Sequence, residues 1–439
     1  MKKIIIVFLL YIIQIGFIYS QNNQPKIDKK EKQLVIDSIS GFLNKIYVFP
    51  DTAKKMSDLI KSNFENGNYE KIINPVKFAE ELNKDLKTVY NDKHMNVMYI
   101  PDIIRDLKED KTDEEKKKDE EQNNRFSSIN NYGFKEIKIL PGGIGYLKFD
   151  EFDTQPEAFR IATAAMNYLE HSSAIIIDLR ENGGGHPDME QFLCSYFFED
   201  RVALNSIYNR ETNKLEQYWT LPFVPGSKFI KTDLYILTSK NTFSCAEAFT
   251  YDFKCLERAT IIGETTGGGA HPTRTMIIND NFFISVPYER AINPKTNSNW
   301  EKTGVEPDVK VTSDKALETA MKMALTKLYE SEKNELIKSL FKWSIDGLKA
   351  KLEPVLVDEN VLKTYIGSFG QRKITFEDGI LYYQREGKPK YKLIPITENY
   401  FILDGIDYFR IKFLKEGNSI NAIEGHYDDG RIDISPIDK

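Results

Sequence analysis

The residue best suited to covalent chemistry lies near the middle of the chain, at Ser244. A serine hydroxyl can attack an acyl carbon when a nearby base takes its proton. Leu234–Thr238 precedes it as an apolar run of strand length, and Cys245–Leu256 follows it with helical spacing of apolar residues. Ser244 is therefore predicted at a helix start, where unpaired N–H groups and the helix dipole can stabilise an oxyanion. The same position also suits a serine that only caps the helix.

Candidate bases for this serine are few, because the chain contains only five histidines. His94 follows the last of three predicted N-terminal helices. His186 and His271 each come directly after a glycine-rich turn. Lys254 lies on the predicted helix about ten residues after Ser244, so it would point away from the hydroxyl. The residue types alone leave the choice among the three histidines open.

Two stretches resemble signatures of a known enzyme family. Thr242–Glu247 with Ala259–Gly269 is similar to the nucleophile region of the C-terminal processing (tail-specific) serine peptidases. Asp178–Gly185 resembles their second signature, and the similarity extends from about residue 30 to residue 312. The resemblance implies an α/β catalytic core with the crotonase-like (ClpP/crotonase) layered fold. It also implies hydrolysis of peptide bonds through an acyl-enzyme formed on Ser244.

The resemblance further indicates the partners of the serine. Gly269 stands where the Ser–Lys members carry their lysine. The segment ending at His94 is instead similar to the one that supplies the base in the tricorn-core and interphotoreceptor retinoid-binding-protein-like branch, and Glu301 matches the acidic partner there. We therefore predict a Ser244, His94 and Glu301 triad, with His271 as the alternative base. Lys93 departs from the pattern, since the tricorn core has a serine beside its histidine.

An acyl-transfer site also needs oxyanion donors and contacts to its substrate. The N–H of Cys245, directly after the nucleophile, is one expected donor. The Gly184 N–H is the other, because glycine allows a backbone to approach a substrate closely. The Cys245 thiol is expected to be a small buried group. Substrate contacts are expected from Gly185, His186, Gly268, Gly269 and His271.

Periodicity and composition indicate where the chain divides. Alternating strands and helices after Gly142 predict a mostly parallel sheet. Short strands around the Asp378–Gly379 hairpin signal predict a small all-β domain at the C-terminus. The predicted segments are a signal peptide (1–20), an N-terminal helical domain (21–100), a charged insertion (101–130), the peptidase catalytic domain (131–330), a helical linker (331–357) and a C-terminal β domain (358–439).

The N-terminus and the composition indicate the compartment and exclude some partners. Lys2 and Lys3 before apolar Ile4–Ile18 are typical of a signal peptide cleaved after Ser20, which predicts a secreted or periplasmic protein. An uncleaved membrane anchor is the alternative, and no later stretch is suited to span a bilayer. The net charge of −6 argues against non-specific nucleic-acid binding. Three cysteines without CxxC spacing indicate no disulfide framework and no metal site, and no cofactor is expected.

Together these observations predict a secreted serine peptidase that acts on peptide or protein substrates. Two alternatives stay open. Retinoid-binding relatives keep this fold and bind apolar ligands without catalysis, but a pure binding protein would not need the predicted triad. An esterase or amidase acting on a non-peptide substrate would use the same three residues.

Overall fold

A computed structural model describes residues 25–417 and 419–438 of the chain. The predicted signal peptide and its cleavage point lie outside the described residues. The chain forms two compact units, the first made of the described residues through Ile137, Tyr146–Glu170 and Ile177–Lys310, and the second of Lys138–Gly145, His171–Ile176 and Val311 onward. The finer division into six segments stays a prediction. No helix in the described part of the chain has the length and apolar content that a membrane span requires.

The helices predicted from apolar periodicity are present, and they differ from prediction mainly at their ends. Two short helices, at residues 101–108 and 359–363, had not been predicted. The helices are α1 (Lys29–Ile46), α2 (Pro50–Glu65), α3 (Pro75–Val89), α4 (Pro101–Lys108), α5 (Asp113–Ile129), α6 (Pro156–Tyr168), α7 (Pro187–Cys194), α8 (Cys245–Cys255), α9 (Ala316–Ser331), α10 (Glu335–Leu352) and α11 (Glu359–Lys363).

The strands include all those predicted, together with others that had not been predicted: four strands at residues 96–99, 134–140, 289–292 and 309–310, an internal hairpin (203–219), and two C-terminal strands at residues 419–427 and 432–436. They are β1 (Asn96–Tyr99), β2 (Phe134–Leu140), β3 (Ile144–Phe149), β4 (Ala174–Asp178), β5 (Ala203–Asn209), β6 (Lys214–Trp219), β7 (Asp233–Thr238), β8 (Thr260–Gly263), β9 (Thr273–Ile277), β10 (Phe282–Pro287), β11 (Glu289–Ile292), β12 (Val309–Lys310), β13 (Gly367–Phe369), β14 (Arg372–Glu377), β15 (Ile380–Arg385), β16 (Lys390–Thr397), β17 (Tyr400–Leu403), β18 (Ile406–Glu416), β19 (Ser419–Tyr427) and β20 (Ile432–Pro436).

The central sheet has the strand order β12-β8-β7-β4-β3-β2. β7 pairs in parallel with β8, and β8 pairs in parallel with β12. Every residue of β4 is buried, as its uninterrupted apolar sequence predicts. Because β4, β7 and β8 are neighbours in this sheet, the loops that follow β7 and β8 begin at the same edge.

The N-terminal helices pack on a second, smaller sheet with the order β1-β10-β9. Apolar side chains of α1, α2 and α3 form one core with Val97 of β1 and with Phe282 and Ile284 of β10. β1 pairs antiparallel with β10, from Asn96 opposite Ser285 to Tyr99 opposite Phe282. This packing fixes the turn just before β1, which carries His94. By contrast, the charged helix α5 buries no side chain, as its lack of an apolar face predicts.

The second unit contains the C-terminal β domain. Strands β13 to β20 form one antiparallel sheet in sequence order. Its core is rich in aromatic side chains, among them Tyr365 and Phe413, whose rings stack at 4.2 Å between centroids. At one end Asp438 N donates to Ser368 O at 2.8 Å, which links the end of the chain to the first strand. The predicted fold class is confirmed: an α/β core, an N-terminal helical region and a C-terminal all-β sheet.

Candidate active site

Ser244 lies in a sharp turn between β7 and α8. Its backbone has φ +55° and ψ −120°, a conformation that residues other than glycine rarely adopt and that costs about 1–3 kcal/mol. The neighbouring Phe243 N donates to Asn182 O at 3.0 Å, which ties this turn to the loop after β4. The hydroxyl is thus presented at the edge of the sheet on a backbone that the surrounding structure holds under strain.

Glu247 supports this turn from within the protein. Its carboxylate is fully buried and accepts four hydrogen bonds. Oε2 accepts from Ser244 N at 3.0 Å and Gly269 N at 2.8 Å, and Oε1 accepts from Gly268 N at 2.6 Å and Thr266 Oγ1 at 2.5 Å. Burial raises the pKa of this carboxyl, and the four donors oppose that shift. Glu247 therefore joins the nucleophile turn to the glycine-rich loop after β8.

His94 lies beside the serine hydroxyl. Its Nε2 is 3.2 Å from Ser244 Oγ, and its ring packs on Phe243 with 4.6 Å between ring centroids. The backbone N–H of His94 donates to Asp92 Oδ1 at 3.2 Å. Burial lowers the pKa of His94 to about 4, so the imidazole is neutral at pH 7 and can accept a proton. Its other ring nitrogen, Nδ1, is buried and has no hydrogen-bond partner among the described residues.

Glu301 lies behind His94 and is 9% exposed. Its Oε2 accepts from Ala270 N at 2.7 Å and lies 3.5 Å from His271 Nδ1. Its Oε1 is buried and has no hydrogen-bond partner within the described residues. Burial and then the nearby Asp92 raise the pKa of Glu301 to about 7. No hydrogen bond joins Glu301 to His94 in this structure, but each presents one unpaired buried atom.

The carboxyl groups of Asp92 and Glu301 and the ring of His94 form a compact cluster. One ligand atom from each lies within 4.8 Å of the others, a grouping that could also hold a metal ion. The second ring nitrogen of His94, however, faces the hydroxyl of Ser244. This is the arrangement of a base between a nucleophile and carboxylates, so we interpret the cluster as one for proton transfer.

Of the two N–H groups predicted to bind the oxyanion, one is free within the described part of the chain and the other is already hydrogen-bonded. The Cys245 N–H has no hydrogen-bond acceptor among the described residues and stays a candidate donor. The Gly184 N–H donates to Asn182 Oδ1 at 2.8 Å, so here it is not available to a substrate. Glycine is nevertheless required at Gly184, because a Cβ there would lie 2.8 Å from Ser244 Cβ. Asn182 thus holds the loop after β4 closely against the nucleophile turn.

The expected substrate contacts fall into two groups. Gly185 and His186 are exposed, and the Nδ1 of His186 accepts from Asp188 N at 3.2 Å as the cap of α7. Gly268, Gly269 and His271 are buried. The N–H groups of both glycines are used by Glu247, and His271 is only 1% exposed.

Lys254 and the alternative base His271 have hydrogen-bond partners other than Ser244. Lys254 Nζ binds Asp308 Oδ1 at 2.9 Å and also the carbonyl of Glu306. His271 Nδ1 lies 2.8 Å from Asp92 Oδ2, and its ring packs against Phe49. Within the described residues, His94 is the histidine that the structure places in contact with Ser244.

Comparison with known proteins identifies the family. The family model described as peptidase family S41 matches residues 143–311. A second model, the N-terminal domain of peptidase S41 in eukaryotic IRBP, matches residues 29–136. Residues 143–311 are a peptidase family S41 domain, and residues 29–136 are its N-terminal domain. This membership confirms the family predicted from the two sequence signatures, and it indicates a serine-type peptidase.

Individual proteins and solved structures are also similar to this S41 chain, each at less than 30% sequence identity. The tricorn protease of Thermoplasma volcanium is 29% identical over 178 residues, which cover 38% of this chain and 16% of that relative. A candidate peptidase of Parabacteroides merdae has a TM-score of 0.49 at 16% identity, covering 69% of this chain and 99% of that one. The photosystem II D1 C-terminal processing protease has a TM-score of 0.43 at 15% identity, covering 64% and 94%.

Sequence reasoning missed two groups that shape the S41 site. Glu247 was not singled out, although its position three residues after Ser244 is the spacing of a capping box. The pair of Asp92 and His271 was also missed. These two residues are 179 positions apart, so only the packed structure shows that they meet.

Proposed function

We propose that this S41 chain hydrolyses peptide bonds in peptide or protein substrates through an acyl-enzyme on Ser244, with His94 as the base. The observation that carries this proposal is the 3.2 Å distance between His94 Nε2 and Ser244 Oγ, two side chains 150 positions apart in the sequence. Such a distance is within reach for direct proton transfer.

The chemistry follows from the protonation states. Neutral His94 takes the hydroxyl proton of Ser244 through Nε2 as Oγ attacks the substrate carbonyl carbon. The Cys245 N–H and the N-terminal end of α8 stabilise the negative charge that develops on the carbonyl oxygen. His94 then protonates the leaving amine. In the second half-reaction it takes a proton from water, whose oxygen attacks the acyl-enzyme. His94 returns this proton to Ser244 Oγ as the bond between Oγ and the acyl carbon breaks and the acid product leaves.

Glu301 is proposed to orient His94 during these steps. When Nε2 of a neutral imidazole accepts a proton, Nδ1 must already carry the other one, so this N–H needs an acceptor. Glu301 Oε1 is a buried acceptor without a donor, and His94 Nδ1 is a buried ring nitrogen without a partner among the described residues. A hydrogen bond between these two atoms would satisfy both.

A fluorophosphonate probe tests the nucleophile without knowledge of the substrate. The wild-type chain should be labelled at Ser244, as located by mass spectrometry. Ser244→Ala should abolish labelling and lower peptide hydrolysis by about 10⁵–10⁶-fold. Ser331→Ala, which removes an exposed serine of α9, is the control and should react like the wild type. Labelling that persists in folded Ser244→Ala would contradict the proposal.

The same probe separates the alternative functions. A non-catalytic ligand-binding protein would not be labelled. An esterase or amidase would be labelled, but it would release no peptide fragments from a mixture of unmodified peptides. Cleavage of peptide bonds in that mixture, detected by mass spectrometry and lost in Ser244→Ala, supports the peptidase.

We further propose export of the chain through its N-terminal segment. The support is the sequence pattern of Lys2 and Lys3 followed by the apolar stretch to Ile18. Protein recovered from the periplasm or the medium should begin at Gln21 when its N-terminus is sequenced. Recovery of the chain in the membrane fraction with the segment intact would favour the anchor instead.

A further inference from the structure

Beside the proposed triad lies a second imidazole–carboxylate pair that the mechanism above does not use. His271 Nδ1 is 2.8 Å from Asp92 Oδ2, and the side chains are 1% and 0% exposed. Burying two ionisable groups is costly unless they are paired and hydrogen-bonded. A buried ionisable pair next to the reacting groups therefore indicates a role in the active site.

Asp92 connects this pair to the base. Its Oδ1 accepts the backbone N–H of His94 at 3.2 Å, and its Oδ2 accepts the hydroxyl of Tyr47 at 3.3 Å in addition to His271. The carboxylate thus holds the turn on which His94 sits. Any movement of His271 would be transmitted to that turn through Asp92.

His271 also faces the orienting acid. Its Nδ1 lies 3.5 Å from Glu301 Oε2, so one N–H is directed at two buried carboxyl groups. Burial and the charge of Asp92 raise the pKa of Glu301 to about 7, whereas His271 acts in the opposite direction. Without His271, the two carboxylates would face each other with no donor between them.

We propose that His271 is a positioning residue, whose Nδ1–H holds Glu301 in its charged form and in place behind His94, with Asp92 as the link to the base. This inference rests on the proposed function and adds to it a second buried pair that sets the pH range of the site. His271 does not touch the reacting atoms and acts through Glu301 and Asp92.

Other groups around this cluster are charged or titratable, and none of them replaces the His271 donor. Tyr47 and Tyr90 lie at the C-terminal ends of α1 and α3. Lys302 packs over the ring of Tyr90 at 3.0 Å, and Arg290 of β11 packs over the ring of Phe49 at 5.7 Å. Glu247 adds a further negative charge near Glu301.

The experiment measures the rate of fluorophosphonate labelling as a function of pH. In the wild type the rate should rise with the ionisation of Glu301, and this rise should be absent in Glu301→Gln. His271→Phe keeps a ring for Phe49 and Tyr90 but removes the N–H, so the midpoint should move up by about one pH unit or more. Asp92→Asn removes the like charge that faces Glu301, so the midpoint should move down by about one pH unit.

The opposite directions of these two shifts exclude a purely structural role, which would lower the rate at every pH and leave the midpoint unchanged. His426→Asn is the matched control. It removes another imidazole–carboxylate pair, His426 Nε2 to Glu424 Oε2 at 2.9 Å, from the C-terminal sheet, and should leave the midpoint unchanged. If melting curves show that His271→Phe is unfolded, the pH midpoint of labelling in Asp92→Asn tests the inference alone. An unchanged midpoint in the folded variants, or shifts in the same direction, would overturn the inference.

A measurement that needs no activity separates this inference from the proposed function. The ionisation of Glu301 can be followed by ¹³C NMR of carboxyl-labelled glutamate, with the resonance assigned by Glu301→Gln. If the NMR midpoints shift as predicted but Ser244 is not labelled, only the proposed function fails. If Ser244 is labelled and the midpoints do not shift, only the role of His271 fails.

Discussion

Two buried glutamates flank the reacting groups, and they are hydrogen-bonded in very different ways. Glu247, on the nucleophile side, accepts four hydrogen bonds, two on each oxygen. Glu301, on the base side, accepts on Oε2 only and has an unpaired Oε1 among the described residues. Both carboxyl groups have a pKa raised by burial.

The difference separates a structural carboxylate from one available for chemistry. A buried carboxylate with all of its acceptor sites used stabilises the arrangement of the donors around it. A buried carboxylate with one free oxygen is costly in the resting protein, but it can accept a hydrogen bond that forms during the reaction. On this account, the same Glu→Gln substitution should disrupt the fold at Glu247 and the chemistry at Glu301.

Glu247→Gln should have the largest effect. Either orientation of the amide places its NH₂ group against a backbone N–H, of Gly268 on one side or of Ser244 and Gly269 on the other. We expect a loss of about 1–3 kcal/mol in the free energy of unfolding for each buried N–H left unpaired, measured by chemical denaturation, together with loss of labelling at Ser244. Glu257→Gln, at an exposed site just after α8, should be neutral. Wild-type stability of Glu247→Gln would show that its hydrogen bonds are dispensable.

Glu301→Gln should leave the fold intact and slow the chemistry. The amide oxygen can still accept from Ala270 N, but the NH₂ group cannot accept the Nδ1–H of His94. We expect kcat/KM to fall by about 10²–10⁴-fold while the melting temperature stays near that of the wild type. A loss of stability as large as that of Glu247→Gln would remove the distinction between the two glutamates.

Gly269→Ala tests the contact between the two sides of the site. A Cβ at this position would lie 2.4 Å from the Phe243 ring and 2.6 Å from His94 Cε1, so the base must move away from Ser244. Overpacking of this kind costs about 1–3 kcal/mol, and the labelling rate should fall by roughly 10–100-fold. Gly183→Ala, where a Cβ would have nothing within 4 Å, is the control in the other glycine-rich turn. Equal rates for the two variants would contradict the placement of His94.

A second acidic pair below the nucleophile helix predicts a smaller effect on stability. Glu190 Oε1 and Asp252 Oδ2 are buried without a hydrogen-bond partner among the described residues, and the negative charge of Asp252 acts on Glu190. Burial raises the pKa of Asp252 to about 7, and burial with repulsion from Asp252 raises that of Glu190 well above its ordinary value. The native state therefore binds more protons than the unfolded state, and stability is lost as pH rises from about 4 through about 7.

Glu190→Gln removes one of these two charges. The drop in unfolding free energy between pH 5 and pH 8 should become smaller than in the wild type by at least about 1.4 kcal/mol, the equivalent of one pKa unit. Thermal or chemical unfolding at the two pH values measures it. Glu199→Gln, at an exposed position after α7, should leave the drop unchanged. An identical drop in Glu190→Gln would show that the pKa of Glu190 is not raised in the native state.

Local patterns were sufficient to predict much of this molecule. Apolar periodicity and the proline at Pro75 predicted the N-terminal helices, and the uninterrupted apolar run of β4 predicted a buried strand. The hairpin of β5 and β6 was missed because its second strand is mostly exposed and carries no apolar alternation. β20 was missed for a similar reason, since none of its residues is buried.

The site was less predictable because its hydrogen bonds join distant residues. Gly269 stands in place of the lysine of the Ser–Lys pattern, and the structure shows a physical reason: Phe243 and His94 occupy the space of any side chain there. The buried state of His271 and the use of the Gly184 N–H by Asn182 depend on tertiary contacts. Residue types and spacing do not encode these contacts.

The most direct test of the account is the rate at which a fluorophosphonate labels Ser244 in His94→Ala. His94 contacts the hydroxyl at 3.2 Å, and the nucleophile and base of such a site act as a unit. The proposed mechanism predicts that the labelling rate falls by about 10⁵-fold while the melting curve shows a folded protein. Labelling of His94→Ala at the wild-type rate, with loss of labelling in Lys254→Ala or His271→Ala, would contradict it.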